Sequence, residues 1–201
     1  MAGTPSSLGI VRSAEREPTP WKNGHGATRE IARRLLGVRG PRFVWRVSVS
    51  DVTQDADLAR FPGVERSATL VDGDGLTIDV AGEQHVLEPY GSVRFDGEAE
   101  TRLRLAGGPV RILNVMALSS RMSARVEVVD LSTERPLTIA GTTLVVLLSG
   151  AAQVHAADGA TGTLALLDAL VARPRVRVVS GTGRAAVIRM ENYRAWRAFS
   201  W

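Results

Sequence analysis

Apolar and polar residues alternate along much of this chain with a period of two, the spacing of a β-strand whose faces meet different surroundings. The clearest case runs from Phe43 to Ser50. Phe43, Trp45, Val47 and Val49 fall on one face, and Val44, Arg46, Ser48 and Ser50 on the other. Shorter segments of the same texture occur at residues 8–12, 68–71, 76–80, 84–87, 92–95, 101–105 and 110–118. In the second half they recur at 124–131, 137–139, 143–148, 151–155, 175–179 and 185–190. Residues 28–36 and 163–171 fit helix or strand; for the first, the β texture that follows favours strand. Phe61-Pro62-Gly63 reads as a turn and Asp72-Gly73-Asp74-Gly75 as a tight connection. Many short strands with turn signals every eight to twelve residues predict an all-β sandwich or barrel. The natural partition is two barrels, residues 1–120 and 121–201, packed closely because no long linker separates them.

Composition narrows the function classes. The 201 residues suffice to bury a real core, and 44% hydrophobic with 23% charged is ordinary for a globular chain. The formal charge of +4 is spread along the sequence without a basic run, which argues against a nucleic-acid surface. The absence of cysteine removes disulfides, thiolate metal sites and a cysteine nucleophile. No charged start leads into an apolar run at the N-terminus, and no apolar stretch reaches membrane-spanning length, so a cytoplasmic location without membrane contact is expected. Trp21, Phe43, Trp45, Phe61, Tyr90 and Phe95 precede residue 96, whereas no aromatic follows until Tyr193. Ligand pockets use aromatic walls, so a site belongs in the first half. The tail residues Tyr193, Trp196, Phe199 and Trp201 recur at roughly helical spacing. They read as an anchor on the barrels or, alternatively, as a homo-oligomer interface.

The densest polar chemistry lies at Pro20-Trp21-Lys22-Asn23-Gly24-His25-Gly26-Ala27-Thr28-Arg29-Glu30. Lys22 is the only lysine among 25 basic residues, a compact rotatable ammonium in a chain otherwise built on planar guanidinium forks.

Five motifs occur in the order seen in the HutD/Ves family. They are Trp21-Lys22-Asn23-Gly24, Thr28-Arg29-Glu30-Ile31-Ala32, Phe43-Val44-Trp45-Arg46-Val47-Ser48, Phe61-Pro62-Gly63-Val64-Glu65-Arg66 and the run from Gly108 to Met116. The resemblance spans the first half and implies a bicupin, two small antiparallel β-barrels of jelly-roll type in one chain. It also implies a link to histidine utilisation and a pocket for formylated or formimino-glutamate-like acids. The sequence departs from the family pattern at His25 (usually glycine), at residues 54–59, and at Ile112 (usually aspartate).

Ten side chains form the candidate binding set. Arg29, Arg46 and Arg66 can clamp carboxylates bidentately, with inter-strand ion pairing to Glu30 or Glu65 as the alternative for each. Lys22 adds a point charge. Asn23 and Asn114 donate and accept, which suits an amide. Trp21, Trp45 and Phe61 can form walls, with a place in the core as the favoured alternative for Trp45. Glu30 completes the set, and with Lys22 is the acid/base candidate should the protein be an enzyme. The only histidines, His25, His85 and His155, are widely separated, so no metal centre and no cofactor are expected. No Gly-x-Ser-x-Gly nucleophile motif occurs. The expectation is a bicupin that senses or buffers a small anionic metabolite of histidine or glutamate-derivative catabolism. The alternative is a metal-independent isomerase or hydrolase acting on a small acid.

Overall fold

The computed structural model describes residues 8–36, 43–139, 141–171 and 177–192. The aromatic tail from Tyr193 to Trp201 lies outside the described residues, and with it the anchor and interface readings. Almost every described element is a strand, and the pairings are antiparallel. The all-β expectation holds, residues 28–36 included. Among the described residues no helix is long and apolar enough to cross a membrane.

In chain order the strands are β1 (Ile10–Val11), β2 (Thr19–Pro20), β3 (Gly26–Leu35), β4 (Phe43–Val52), β5 (Ala56–Asp57) and β6 (Val64–Asp72). Next come β7 (Leu76–Val80), β8 (Glu83–Leu87), β9 (Ser92–Asp96), β10 (Thr101–Leu105) and β11 (Val110–Leu118). The remainder are β12 (Met122–Asp130), β13 (Leu137–Ile139), β14 (Thr143–Ala156), β15 (Thr161–Leu164), β16 (Ala169–Val171) and β17 (Arg177–Asn192).

The described chain forms two compact units, one of residues 17–123 and one of residues 8–16 with 124–191. A cut at residue 120 would leave β1 with the first unit, but Ile10 pairs with Leu170 and Val11 with Ala169. The attachment is reinforced by Asp168. Its carboxylate accepts from Arg12 Nη1 and from the Ser13 backbone N–H, each at 2.7 Å, and from the Ala165 N–H at 3.1 Å. A two-residue strand carries too little pattern to announce such a distant partner.

In the second unit, β14 and β17 run as strands of 14 and 16 residues where the sequence suggested two short strands each. The interruption is real but takes the form of a corner. Pairing shifts register between Leu147 and Ser149, and Gly150 follows at φ +78°. A side chain at Gly150 would strike the Thr182 backbone, so only glycine lets the two strands approach there. The corner folds both strands over one core, in which Val145 and Leu147 meet Ala152 and Val154. Residues 163–171 resolve into parts of β15 and β16 joined by a turn.

The first unit has two sheets. One follows the order β2-β3-β4-β11-β6-β9 and the other β5-β10-β7-β8. The Asp72–Gly75 connection crosses between them, because β6 pairs with β9 and β11 while β7 pairs with β8 and β10. Val52, Leu70, Val110 and Ile112 of the first sheet pack with Leu76, Ile78 and Leu103 of the second to form the core. Along β4 and β11 this apolar row gives way, at alternate residues, to Ser50, Ser48 and Arg46 and to Asn114 and Met116. The space between the sheets opens there.

Candidate functional site

A cavity of about 540 Å³ occupies the first unit beyond its apolar core. Strand register fixes what faces it. In β4 the cavity row is Arg46, Ser48 and Ser50, paired across to Met116, Asn114 and Ile112 of β11. On the other side of β11, Met116 pairs with Arg66 of β6. One row therefore carries two guanidiniums, Arg46 and Arg66, and the next rows carry neutral polar groups.

Arg66 is the most constrained of these. Its side chain enters an apolar region and only 6% of the residue remains exposed. Its Cζ lies 5.7 Å from the Phe61 ring centroid and 5.3 Å from that of Phe95, both within cation–π range. Nη1 donates to the Ala59 carbonyl at 3.1 Å. Nε is buried without a hydrogen-bond partner, and among the described residues no carboxylate pairs with this guanidinium. Burial, and after it the charge of Arg46, pushes the Arg66 pKa down to about 10, so the side chain stays charged at neutral pH. Buried charges are ordinarily paired, and this one is not.

Arg46 is held differently. Glu30 accepts from Arg46 Nε at 2.9 Å and lies 3.3 Å from Arg33 Nε. A bulge after Glu30 restores register at Ala32, which puts Glu30 and Arg33 on the Arg46 side of the sheet. The inter-strand ion pair considered for Arg46 is thus present, and Glu30 positions a cavity cation without lining the cavity itself.

At the opposite end Thr28, Ser50 and Asn114 form a chain of hydrogen bonds. Trp21 Nε1 donates to Thr28 Oγ1 at 2.8 Å, Thr28 Oγ1 and Ser50 Oγ share a proton at 2.8 Å, and Asn114 Nδ2 donates to Ser50 Oγ at 3.2 Å. Trp21 closes over this corner because Gly26 makes room. A Cβ at Gly26 would run into the Asp51 carbonyl oxygen and come within 3.3 Å of the indole. The loop is further shaped by the Asn23 side chain, which accepts from the His25 N–H at 3.1 Å. His25 ties the loop to the segment just before β5, with Nδ1 2.9 Å from the Asp55 carbonyl oxygen. Lys22 and Asn23 are exposed at the mouth.

Of the ten sequence candidates, the structure gathers Trp21, Lys22, Asn23, Arg46, Phe61, Arg66 and Asn114 around the cavity. Glu30 stands behind Arg46. Arg29 and Trp45 lie on the reverse face of the sheet, because alternate residues of one strand cannot line the same space. Arg29 ion-pairs there with Asp51, which also accepts from Arg111 Nε at 2.7 Å. Burial raises the Asp51 pKa, but hydrogen bonds and charge from Arg111 and Arg29 more than offset this and hold it below the usual carboxylate range. Trp45 is buried among the apolar row that includes Val47 and Val49. Thr28, Ser48 and Ser50 were missed polar members. For the two serines, sharing a face with Arg46 was the available signal. Among the described residues no three His, Asp or Glu side chains gather as metal ligands. His85 lies 3.7 Å from Glu83, and His155 is exposed on β14 of the other unit.

The sequence model of the HutD family matches residues 13–187. An uncharacterized 21.2 kDa protein in the hutC 3' region of Pseudomonas putida is 33% identical over 167 residues, 82% of this chain and 86% of that one. Protein Ves of Citrobacter koseri is 33% identical over 112 residues, 55% of this chain and 58% of its own. The structure of HutD from Pseudomonas fluorescens SBW25 (formate condition) superposes with a TM-score of 0.78 at 28% identity, covering 91% of this chain and 97% of that one. A cupin 2 conserved barrel domain protein from Leptotrichia buccalis shares the fold alone, with a TM-score of 0.57 at 11% identity over 90% of this chain and 99% of that one. The architecture is that of a bicupin.

Proposed function

The chain belongs to the HutD family, and from that premise and the geometry of its cavity we propose that it binds a small carboxylate reversibly. The observation that carries this reading is Arg66, a buried guanidinium charged at neutral pH that lines the cavity and has no carboxylate partner among the described residues. Leaving a cation desolvated and unpaired is costly unless a ligand supplies the counter-charge. A carboxylate matches the planar fork of a guanidinium. Arg46 adds a second cation in the same row, and Lys22 at the mouth attracts anions from solution. The hutC-region name of the Pseudomonas putida relative supports a metabolite of histidine or glutamate-derivative catabolism as the physiological ligand, with sensing or buffering as the role. Recognition is favoured over acid–base chemistry because Glu30 is already engaged by two guanidiniums.

The test is isothermal titration of the purified protein with butyrate, glutarate and glutaramate at fixed ionic strength, repeated on Arg66→Met. Saturable binding by wild type and its loss in the variant are expected. Binding that survives Arg66→Met unchanged would overturn the assignment.

A further inference from the structure

The cavity opens between two sheets, and each sheet ends there in a short edge strand. β2, two residues long, ends the six-stranded sheet, and β5, also two residues long, ends the four-stranded one. Thr19 and Pro20 of β2 and Asp57 of β5 all border the cavity. Because β2 and β5 belong to different sheets, no strand ladder joins these two rims among the described residues.

The His25 side chain supplies a bond across that gap. Its backbone is fixed at the end of the first sheet. The Thr53 N–H donates to the His25 carbonyl at 2.9 Å and Thr53 Oγ1 at 3.2 Å, and the next residue, Gly26, pairs with Val52. From there the half-buried imidazole reaches the Asp55 carbonyl, with Nδ1 at 2.9 Å. A carbonyl only accepts, so Nδ1 carries the proton in this bond. Asp55 is held in turn by the second sheet. Its Oδ1 accepts from the Leu105 N–H at 2.9 Å, and the residues that follow pair with β10, Ala56 with Leu103 and Asp57 with Arg102. Each end of the bond is thus anchored in a different sheet. Both ends also fall where this chain departs from its family's pattern. Glycine, the usual residue at position 25, has no side chain with which to make the bond.

We infer that His25 is a positioning residue that latches the cavity mouth, setting how fast a ligand enters and leaves but not how tightly it is held. The inference rests on the carboxylate reading above and adds the regulation of that site. His25 is not among the residues that line the cavity, so its bond is made alike in the free and the occupied protein. An interaction of equal strength in both states cancels from the affinity. It still holds the two rims together, and exchange passes between them. One hydrogen bond of ordinary net strength shifts such an opening by roughly threefold to tenfold. Loss of the bond therefore accelerates entry and departure by the same factor and leaves their ratio unchanged.

The experiment compares wild type, His25→Leu and His25→Asn by nuclear magnetic resonance. Leucine keeps bulk but loses the donor, whereas the asparagine nitrogen restores a donor close to the place of Nδ1. Glutarate is titrated into each protein, and line shapes give its association and dissociation rates. Without ligand, hydrogen exchange is followed at the Trp21 and Leu58 amides, which donate to Gly26 and Thr101 on opposite rims. In His25→Leu both rates should rise roughly threefold to tenfold at unchanged Kd, and both amides should exchange faster. His25→Asn should return all of these close to wild type. Glutarate that binds every variant at wild-type rates, or a Kd that weakens through dissociation alone, overturns the latch while leaving carboxylate binding intact. Amide exchange unaltered in His25→Leu, or no recovery in His25→Asn, overturns it as well. If glutarate does not bind wild type, the carboxylate reading fails and the gate fails with it. His25→Gly, carrying the usual family residue, serves as a second variant without the donor should His25→Leu not fold.

Discussion

Replacing Arg66 by methionine should separate stability from function. In the free protein, the drop of the Arg66 pKa from the ordinary arginine value to about 10 disfavours the charged guanidinium by about 3 kcal/mol at ~1.4 kcal/mol per pKa unit. Set against this are one hydrogen bond to the Ala59 carbonyl, worth about 1 kcal/mol, and the contacts with Phe61 and Phe95, worth about 1 kcal/mol. Methionine keeps a flexible apolar stem beside the two rings and needs no counter-charge. Arg66→Met should therefore gain about 1 kcal/mol in urea unfolding near neutral pH while losing carboxylate binding. The sign against pH follows. A cation whose folded pKa is lowered penalises the folded state fully below about 10, and the penalty fades as pH rises from there toward the ordinary arginine value. Between pH 6 and 9 the advantage of the variant should thus be flat. Measuring the urea midpoint and m-value of both proteins across that range, without and with saturating carboxylate, checks each part. A variant that loses about 2 kcal/mol or more in the free state would show that Arg66 is a structural cation, and the reasoning would fail.

Other outcomes follow from single features. Asp168→Asn should lower stability by about 1–3 kcal/mol at pH 7, since it removes the charge that accepts from Arg12, Ser13 and Ala165. Burial raises the Asp168 pKa, but those hydrogen bonds and the Arg12 charge outweigh it and hold the pKa below 3.8. Its stabilisation is complete above 3.8 and is lost as pH falls through the lowered value, so wild type and variant should converge in acid denaturation. Gly26→Ala should destabilise by about 1–3 kcal/mol in thermal melts and shift Trp21 emission, because its methyl group meets the Asp51 carbonyl and the indole. Leu103→Ala should cost about 2–5 kcal/mol, measured by denaturant unfolding, because Leu103 is fully buried between core and cavity. Lys22→Ala should leave the melting temperature unchanged but slow ligand association at low salt in stopped-flow traces, as expected of an exposed charge at the mouth.

The alternation at Phe43–Ser50 revealed two faces correctly, yet could not say which of them borders a cavity. Aromatic rings suggested a wall, so Trp45 entered the candidate set beside Arg46. The two residues are neighbours in one strand and point apart. The face that lines the cavity proved to be the one with the arginine and the serines. Arg29, Arg46 and Arg66 looked equivalent in sequence because an arginine's partner depends on strand register. Pairing gave Asp51 to Arg29 and Glu30 to Arg46, and left Arg66 without either. The corner in β14 and β17 was legible as a break at Gly150. That each pair of segments remains one bent strand depends on contacts between distant residues. Nothing beside Asp168 in the sequence marks it apart from an exposed acid, since two of its three donors, Arg12 and Ser13, lie 156 and 155 residues away.

A crystal structure of the glutaramate complex would show whether the free edge of Arg66 is the carboxylate receptor. A carboxylate oxygen is expected about 2.7–2.9 Å from Arg66 Nη2 or Nε, the spacing of a charge-assisted hydrogen bond. A ligand bound elsewhere, with Nε still unpartnered and the cavity beside Phe61 holding no carboxylate, would contradict it.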